Sequence, residues 1–178
     1  EGGKIERRRA PGKIRNLEAV LAETSLKGVN GIGHTRWATH GAPNEANAHP
    51  HKAGPVAIVH NGIIENFRDL RTELQENGFH FESETDSEVI AALIADGVKR
   101  GRSPGDAMRD AVQRMRGAYA IAALFEGQDD LLVGARRGSP LVAGFGDGEV
   151  FLGSDAIAVA PFTSRIMYLE EGDVIELE

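Results

Sequence analysis

The second half of the sequence contains an unbroken apolar run, Tyr119-Ala120-Ile121-Ala122-Ala123-Leu124. A strand with one face in water alternates apolar and polar side chains, whereas a strand that is covered on both faces is apolar throughout. We therefore expect this run to lie in a central strand of stacked sheets that helices cover. Apolar runs predict strands over residues 118–125, 131–135, 141–143, 150–152 and 174–177.

Helices are predicted ahead of this strand, because apolar residues there recur every three or four positions. Thr85 and Glu88 form a capping box before one helix, and Ser103-Pro104 supplies the cap and the first-turn proline of the next. The predicted helices run from residue 13 to about 23, from Asn66 to Gly78, from Thr85 to about Val98 and from Ser103 to about Met115.

The remaining N-terminal segments predict strands, a turn and a loop. Alternation over residues 4–9 is typical of one arm of a hairpin, and residues 30–37 are expected to form a strand. The apolar run 56–59 leads to Asn61-Gly62, a dipeptide that predicts a tight turn where the strand reverses. Residues 40–54 lack periodicity, which predicts a long loop of the kind that usually carries function.

Size and charge restrict the classes of function. A chain of 178 residues can bury a substantial core, so we expect a single domain over residues 1–178. The net charge of -7 argues against nucleic acid as a partner, and no apolar stretch is long enough to span a membrane. The run Arg7-Arg8-Arg9 does not change this expectation, because a solvated face explains it better than a binding patch.

The chain contains no cysteine, which excludes disulfides and thiolate metal sites within it. It opens with Glu1 rather than Met and enters a glycine-rich turn at once. We therefore expect an upstream segment that is not part of these 178 residues, and we give the lack of a visible signal peptide little weight.

Charged and amide side chains suggest a site for an amino acid. Arg36 offers two parallel donors that suit a carboxylate, and Asp86 could hold an ammonium group. Both also have structural explanations, since Arg36 could pair with an acidic neighbour and Asp86 lies in the first turn of a predicted helix. Asn61 and Gly62 could point an amide and a backbone N–H at one spot and so form an oxyanion hole.

The histidines raise the question of a metal site, because five of the six fall between residues 34 and 60. Two of them form the sequence His49-Pro50-His51. Neither a histidine pair on a helix nor a carboxylate at ligand spacing accompanies them. Loop ordering or substrate contact is therefore the preferred interpretation, and neither a metal nor another cofactor is expected.

Four polar clusters occur in a recognisable order. They are His34-Thr35-Arg36-Trp37-Ala38-Thr39-His40-Gly41, Asn47-Ala48-His49-Pro50-His51, His60-Asn61-Gly62-Ile63-Ile64-Glu65-Asn66 and Thr85-Asp86-Ser87-Glu88. Together they resemble the motifs of the class II glutamine amidotransferases, and most closely the glucosamine-6-phosphate synthase branch of that family. The resemblance covers nearly the whole chain. It implies an α+β fold, the four-layer α/β/β/α sandwich of the N-terminal-nucleophile hydrolases.

The resemblance also implies L-glutamine as the substrate and a role for each matching residue. Arg36 would hold the α-carboxylate of glutamine, and Asp86 would hold its α-ammonium group. Asn61 and Gly62 would form the oxyanion hole. Thr39, His40 and His49 match loop positions around the glutamine, and Trp37 matches a residue that gates the passage of ammonia.

The nucleophile of that family is an N-terminal cysteine, which has no counterpart in these 178 residues, so the chain as given is expected to be inactive. In the full enzyme, ammonia would pass to a sugar isomerase domain of the same polypeptide and convert fructose 6-phosphate to glucosamine 6-phosphate. The resemblance implies a cytoplasmic homodimer. The alternative is a non-catalytic amidotransferase-like domain that binds an amino acid, which the retained oxyanion residues disfavour.

Overall fold

The computed structural model describes residues 3–36 and 42–178. Within these ranges, two antiparallel sheets are stacked and helices cover their outer faces. The strands are β1 (His51–Ala53), β2 (Val56–Ile64), β3 (Gly117–Phe125), β4 (Leu132–Arg137), β5 (Val142–Phe145), β6 (Val150–Gly153), β7 (Ile166–Tyr168) and β8 (Val174–Leu177). The helices are α1 (Ile14–Glu23), α2 (Phe67–Glu76), α3 (Asp86–Lys99), α4 (Pro104–Arg114) and α5 (Ala156–Val159).

The larger sheet has the strand order β1-β2-β3-β4-β8, and each neighbouring pair is antiparallel. Its two long strands, β2 and β3, pair over their whole length. Ile121 on β3 is buried in the core shared with the helices, whereas Ala120 is buried in the cluster shared with the second sheet. The apolar run that contains both is therefore covered on both faces, as the sequence predicts.

Helices α3 and α4 cover the outer face of the larger sheet, and the main apolar core lies between them and the strands. Both predicted caps are present, because the hydroxyls of Thr85 and Ser103 accept backbone N–H groups in the first turns of α3 and α4. The two helices approach closely at Gly97, where a Cβ would stand 3.0 Å from Ala107 Cβ. At its other end, α3 lies against the middle of β2, where Ser87 shares a hydrogen bond with His60.

The second sheet has the strand order β6-β5-β7. Leu152 on its inner face packs with Ala120 of the larger sheet in a second, smaller apolar cluster. On its outer face the short helix α5 buries Val159, whose methyl group occupies the space that a side chain at Gly144 would need. The layers follow the order helix, five-stranded sheet, three-stranded sheet, helix. The protein thus has the α+β four-layer sandwich that the resemblance implies.

The predicted turn at Asn61-Gly62 is wrong. Both residues lie inside the continuous strand β2, where Asn61 pairs with Ala120 and Gly62 with Tyr119 on β3. Gly62 has φ +131°, and a Cβ there would stand 2.1 Å from the carbonyl oxygen of Ala118. The glycine serves close packing against a neighbouring strand, and a sequence does not distinguish this use from a turn.

Several segments near the N-terminus also differ from their predictions. Residues 4–9 and 30–36 form no strand, and the predicted loop contains the short strand β1. Asn66 occupies the N-cap position of α2 but makes no capping bond, because its amide binds the backbone between α4 and β3 instead. The guanidinium of Arg9 is not solvated as expected, since it donates to the carbonyls of Ala46 and Ala48.

Candidate functional site

A small cavity lies where the N-terminus of α3 meets the middle of β2. Its volume is about 180 Å³. Four segments surround it: the stretch before residue 37, the loop ahead of β1, strand β2 and the N-terminus of α3. The described residues that line it are His34, Thr35, Arg36, His49, His60, Asn61, Gly62, Thr85, Asp86 and Ser87.

Asp86 brings a carboxylate to the cavity from the first residue of α3. The residue is only 3% exposed, and its Oδ2 accepts the backbone N–H of Ile64 at 2.8 Å. The helix dipole favours a negative charge at this end of a helix. The bond to Ile64 also ties the helix to the end of β2, so the position of the carboxylate relative to that strand is fixed.

Asn61 presents its side chain from β2, and His34 fixes its orientation. The two residues share a hydrogen bond of 2.8 Å between His34 Nε2 and Asn61 Oδ1. An amide oxygen can only accept, so His34 must carry its proton on Nε2. The amide nitrogen of Asn61 is thereby left to donate to other groups, as an oxyanion hole requires.

Ser87 connects two further histidines of the cavity wall. Its Oγ lies 3.0 Å from His60 Nδ1 and 3.1 Å from His49 Nε2. The ring of His49 also stacks on that of His34, with 4.0 Å between the centroids. His34 Nδ1, His49 Nδ1 and His60 Nε2 are buried and have no hydrogen-bond partner among the described residues. Three polar atoms in the wall of one cavity are thus left unsatisfied within the described chain.

A second set of bonds fastens the loop ahead of β1 to the segment that leads into α3. Ser83 donates its only hydroxyl proton to the Glu88 carboxylate at 2.6 Å. The Thr85 hydroxyl, 2.9 Å away, must therefore donate to Ser83, and it accepts from His51 Nε2 at 3.2 Å. Asn47 Oδ1 accepts the backbone N–H of Glu84 at 3.0 Å. These bonds hold in place the backbone that carries Asp86.

Burial disfavours the protonated form of the histidines at and near the cavity. Burial, followed by the positive charges of neighbouring groups, lowers the pKa of His49 to about 2 and that of His51 to about 3. Burial also lowers the pKa of His34 and of His60, although the nearby Asp86 carboxylate acts in the opposite direction on His60. The charged groups of the cavity wall are therefore Arg36 and Asp86, one of each sign.

The structure brings together five of the residues singled out from the sequence. Arg36, His49, Asn61, Gly62 and Asp86 line the one cavity, and Arg36 also donates to the carbonyl oxygen of Ala42 at 3.0 Å. Trp37, Thr39 and His40 lie outside the described residues.

Sequence reasoning assigned no role to His34, His60 or Ser87, although all three belong to the quoted motifs. The signal for His34 and His60 was the clustering of five histidines between residues 34 and 60, and the signal for Ser87 was its place beside Asp86. Within residues 3–36 and 42–178, no group of three or more histidine, cysteine or carboxylate side chains could hold a metal ion. In the same ranges, no helix is long and apolar enough to cross a membrane.

Comparisons with known proteins point to one family. Residues 34–161 match the family model described as a glutamine amidotransferase domain. The chain is 63% identical over 177 residues to the glutamine–fructose-6-phosphate aminotransferase [isomerizing] of Caulobacter vibrioides, and 61% identical over 175 residues to that of Zymomonas mobilis. These alignments cover 99% and 98% of this chain but only 29% of each relative.

A solved structure with a similar fold is the glutamine phosphoribosylpyrophosphate amidotransferase of B. subtilis, complexed with ADP and GMP. It matches with a TM-score of 0.61 at 26% identity. The match covers 80% of this chain and 31% of that one. The similarity therefore extends beyond the motifs to the arrangement of the sheets and helices.

Proposed function

The chain belongs to the glutamine amidotransferase domain family, and we propose that its cavity binds L-glutamine so that the side-chain amide is hydrolysed to glutamate and ammonia. One observation carries the proposal: Arg36 and Asp86, of opposite charge, line the same cavity as the oriented amide of Asn61. A free amino acid needs both charges, and a cavity of about 180 Å³ suits a ligand smaller than a typical drug molecule.

The roles follow from the chemistry of each end. Asp86 binds the α-ammonium group, and Arg36 binds the α-carboxylate with its planar pair of donors. The neutral ring of His49 lines the same cavity without adding charge. This combination distinguishes an amino acid from a simple amine or a simple acid, because each of these lacks one of the two charged groups.

The amide of glutamine reacts at the other end of the cavity. A thiolate attacks the amide carbon, the oxygen becomes an oxyanion, the C–N bond breaks, and ammonia leaves after taking up a proton. Water then cleaves the thioester and releases glutamate. Asn61 Nδ2 and the Gly62 N–H stabilise the oxyanion, and each such donor contributes roughly 3 kcal/mol. No residue of the 178 is a cysteine, so the thiol comes from the N-terminal cysteine that the resemblance implies.

The fate of the ammonia is proposed from the relatives, of which this chain spans 29%. Ammonia passes to a sugar isomerase domain of the same polypeptide, which converts fructose 6-phosphate to glucosamine 6-phosphate. Trp37 gates this passage, while Thr39 and His40 contact glutamine. We also propose that residues 1–178 form one domain and that the full enzyme is a cytoplasmic homodimer.

The test measures glutamate and ammonia released from L-glutamine by the full product of the gene, read from its own start codon. Replacing its first cysteine by alanine is expected to abolish hydrolysis. Asp86→Asn is expected to raise KM for glutamine about ten- to hundredfold, because a hydrogen bond to a charged group is lost. The control is Asp96→Asn on the same helix, which breaks only the peripheral pair with Arg100.

The two candidate functions give different results in this experiment. Hydrolysis that depends on the cysteine and on Asp86 supports the glutaminase. Binding of L-glutamine without any release of ammonia contradicts it and supports the non-catalytic amino-acid-binding domain. Addition of fructose 6-phosphate should yield glucosamine 6-phosphate, and glutamine hydrolysis without this product would contradict the proposed sugar acceptor alone.

A further inference from the structure

We propose that Ser87 is a positioning residue for the glutamine site, because its hydroxyl links His49 and His60 and sets the hydrogen-bonding roles of both rings. This inference rests on the proposed function, since it concerns how the same cavity recognises glutamine. Ser87 is buried in the first turn of α3, directly after Asp86.

The Ser87 oxygen joins three parts of the chain that face the ligand. It bonds to His60 on β2, to His49 in the loop ahead of β1, and it belongs itself to α3. His60 directly precedes Asn61, and Ser87 directly follows Asp86. The hydroxyl thereby sets the distance between the end of the cavity that binds ammonium and the end that binds the amide.

Because the Ser87 hydroxyl has a single proton, its two hydrogen bonds to the histidine rings must run in the same direction. A serine hydroxyl has one proton, so it donates to one ring nitrogen and accepts an N–H from the other. If His60 donates to Ser87, then His49 accepts at Nε2 and carries its own proton on Nδ1. If His49 donates, His60 carries its proton on Nε2. In either direction, one outer nitrogen is an N–H donor and the other is a lone pair.

Both outer nitrogens are buried without a partner among the described residues, and both rings line the cavity. Such groups lower the stability of a protein until a ligand or water satisfies them. A carboxamide offers a donor and an acceptor, which matches an N–H and a lone pair. A carboxylate offers acceptors only. The linked rings therefore favour glutamine over glutamate, the product.

In a neighbouring series of hydrogen bonds, a carboxylate of the protein fixes which group donates and which accepts. The bonds from His51 through Thr85 and Ser83 end on the Glu88 carboxylate, which can only accept. The bonds of Ser87 end on two neutral rings. No carboxylate of the protein therefore imposes the direction at Ser87, although the Ala118 carbonyl favours a proton on His60.

The test compares the wild-type product of the full gene with Ser87→Ala, Ser87→Thr and Ser103→Ala in glutamine hydrolysis. Ser103 is the matched control, because its hydroxyl also lies at a helix N-terminus but outside the cavity. Ser87→Ala is expected to raise KM for glutamine about tenfold and to change kcat and the inhibition constant of glutamate less than about threefold. Ser87→Thr keeps the hydroxyl and should restore KM, and Ser103→Ala should leave it unchanged.

Three results would overturn the positioning role. They are a wild-type KM in Ser87→Ala, an equal loss of affinity for glutamine and glutamate, and a failure of Ser87→Thr to restore KM. A wild-type enzyme that does not hydrolyse glutamine contradicts the proposed function before any variant is compared. In that case, ¹⁵N NMR of the histidine rings in the 178-residue chain still tests the hydrogen bonds of Ser87 to His49 and His60. Unchanged ¹⁵N chemical shifts of both rings in Ser87→Ala would refute these bonds.

Discussion

Gly62 has a backbone conformation that is strained for any residue with a side chain. Its φ is +131°, and a Cβ would stand 2.1 Å from the carbonyl oxygen of Ala118 on the paired strand. Gly62→Ala should therefore lower the free energy of unfolding by about 3 kcal/mol or more, and it should abolish glutamine hydrolysis. Urea denaturation measures the first effect and ammonia release the second.

Gly78→Ala separates the effect of the dihedral angle from that of the contact. Gly78 also has a positive φ, +86°, but a Cβ there would meet no atom within 4 Å. The substitution should cost only the dihedral strain, about 1 to 2 kcal/mol, and leave hydrolysis intact. Equal losses of stability at the two positions would contradict the role of the contact with Ala118.

His51 should make the stability of the protein depend on pH. Burial, followed by the charges of Arg9 and Arg7, lowers the pKa of His51 in the folded protein to about 3, below the value of about 6.5 in an unfolded chain. As the pH falls from about 6.5 towards 3, the unfolded chain takes up a proton that the folded protein does not. The free energy of unfolding should fall by roughly 1 kcal/mol for each pH unit, and His49 adds to the effect.

Two variants test the contribution of His51. His51→Gln removes the titrating ring and retains a side-chain donor, so the dependence of unfolding on pH should become shallower between pH 6.5 and 4. His80→Gln, at an exposed position, is the control. Urea denaturation at a series of pH values gives the slopes, and the same slope in wild type and His51→Gln would refute the assignment.

The charged and amide groups of the site could be predicted from the sequence, but their supports could not. Arg36, Asp86 and Asn61 stand out because few functions need those side chains in otherwise apolar surroundings. Ser87 gives no such signal, since serine is common in the first turn of a helix for local reasons. Its role depends on where His49 and His60 lie, which is decided by tertiary packing.

At the scale of elements, a buried amide is one of the groups that hold the segment leading into α3. Asn47 is 1% exposed, and its Oδ1 accepts the backbone N–H of Glu84, two residues before Asp86. Asn47→Ala leaves that N–H without its partner, which should cost about 1 to 3 kcal/mol of unfolding free energy. It should also raise KM for glutamine, because the backbone that carries Asp86 is less firmly held.

The control for this prediction is Asn77→Ala. Asn77 is exposed at the C-terminus of α2, and its substitution should change the unfolding free energy by less than about 0.5 kcal/mol. Urea denaturation and steady-state kinetics provide both measurements. If Asn47→Ala were as stable and as active as Asn77→Ala, the bond to Glu84 would not hold the segment in place.

Elements with local signals were predicted well, and those that depend on distant partners were not. The caps of α3 and α4 are set by Thr85 and Ser103 within a few residues of each helix, and both are confirmed. The strand expected over residues 30–37 does not form in its described part, residues 30–36, because no neighbouring strand pairs with it there. The turn expected at Asn61-Gly62 failed because the same dipeptide also permits close packing of β2 against β3.

At the scale of the whole molecule, the two sheets differ in how well they are packed. The larger sheet shares the main apolar core with α3 and α4, whereas the second sheet contributes only to the smaller cluster, beside an open cleft of about 580 Å³ that both sheets line. Amide hydrogens of β5 and β6 should therefore exchange with solvent at least about tenfold faster than those of β2 and β3. Hydrogen–deuterium exchange measures this, and equal rates would contradict it.

Substitution of Val159 should perturb the second sheet without perturbing the larger one. Its side chain is buried against Gly144 and Gly153, whereas Ile157 on the same helix is 80% exposed. Val159→Ala should accelerate exchange in β5 and β6 and leave β2 and β3 unchanged. Ile157→Ala should have no effect on either sheet. Faster exchange in β2 after Val159→Ala would show instead that the two sheets open together.

The cavity takes all of its described lining from residues 34–87, and the second half of the chain supplies the strands and helices that support it. Recombination between relatives downstream of the Ser87 codon would replace most of both sheets and transmit the ligand-recognising residues as one block. A hybrid descendant would keep the chemistry of one ancestor within the architecture of another, provided that β2 of the first still packs against β3 of the second, as Gly62 does against Ala118.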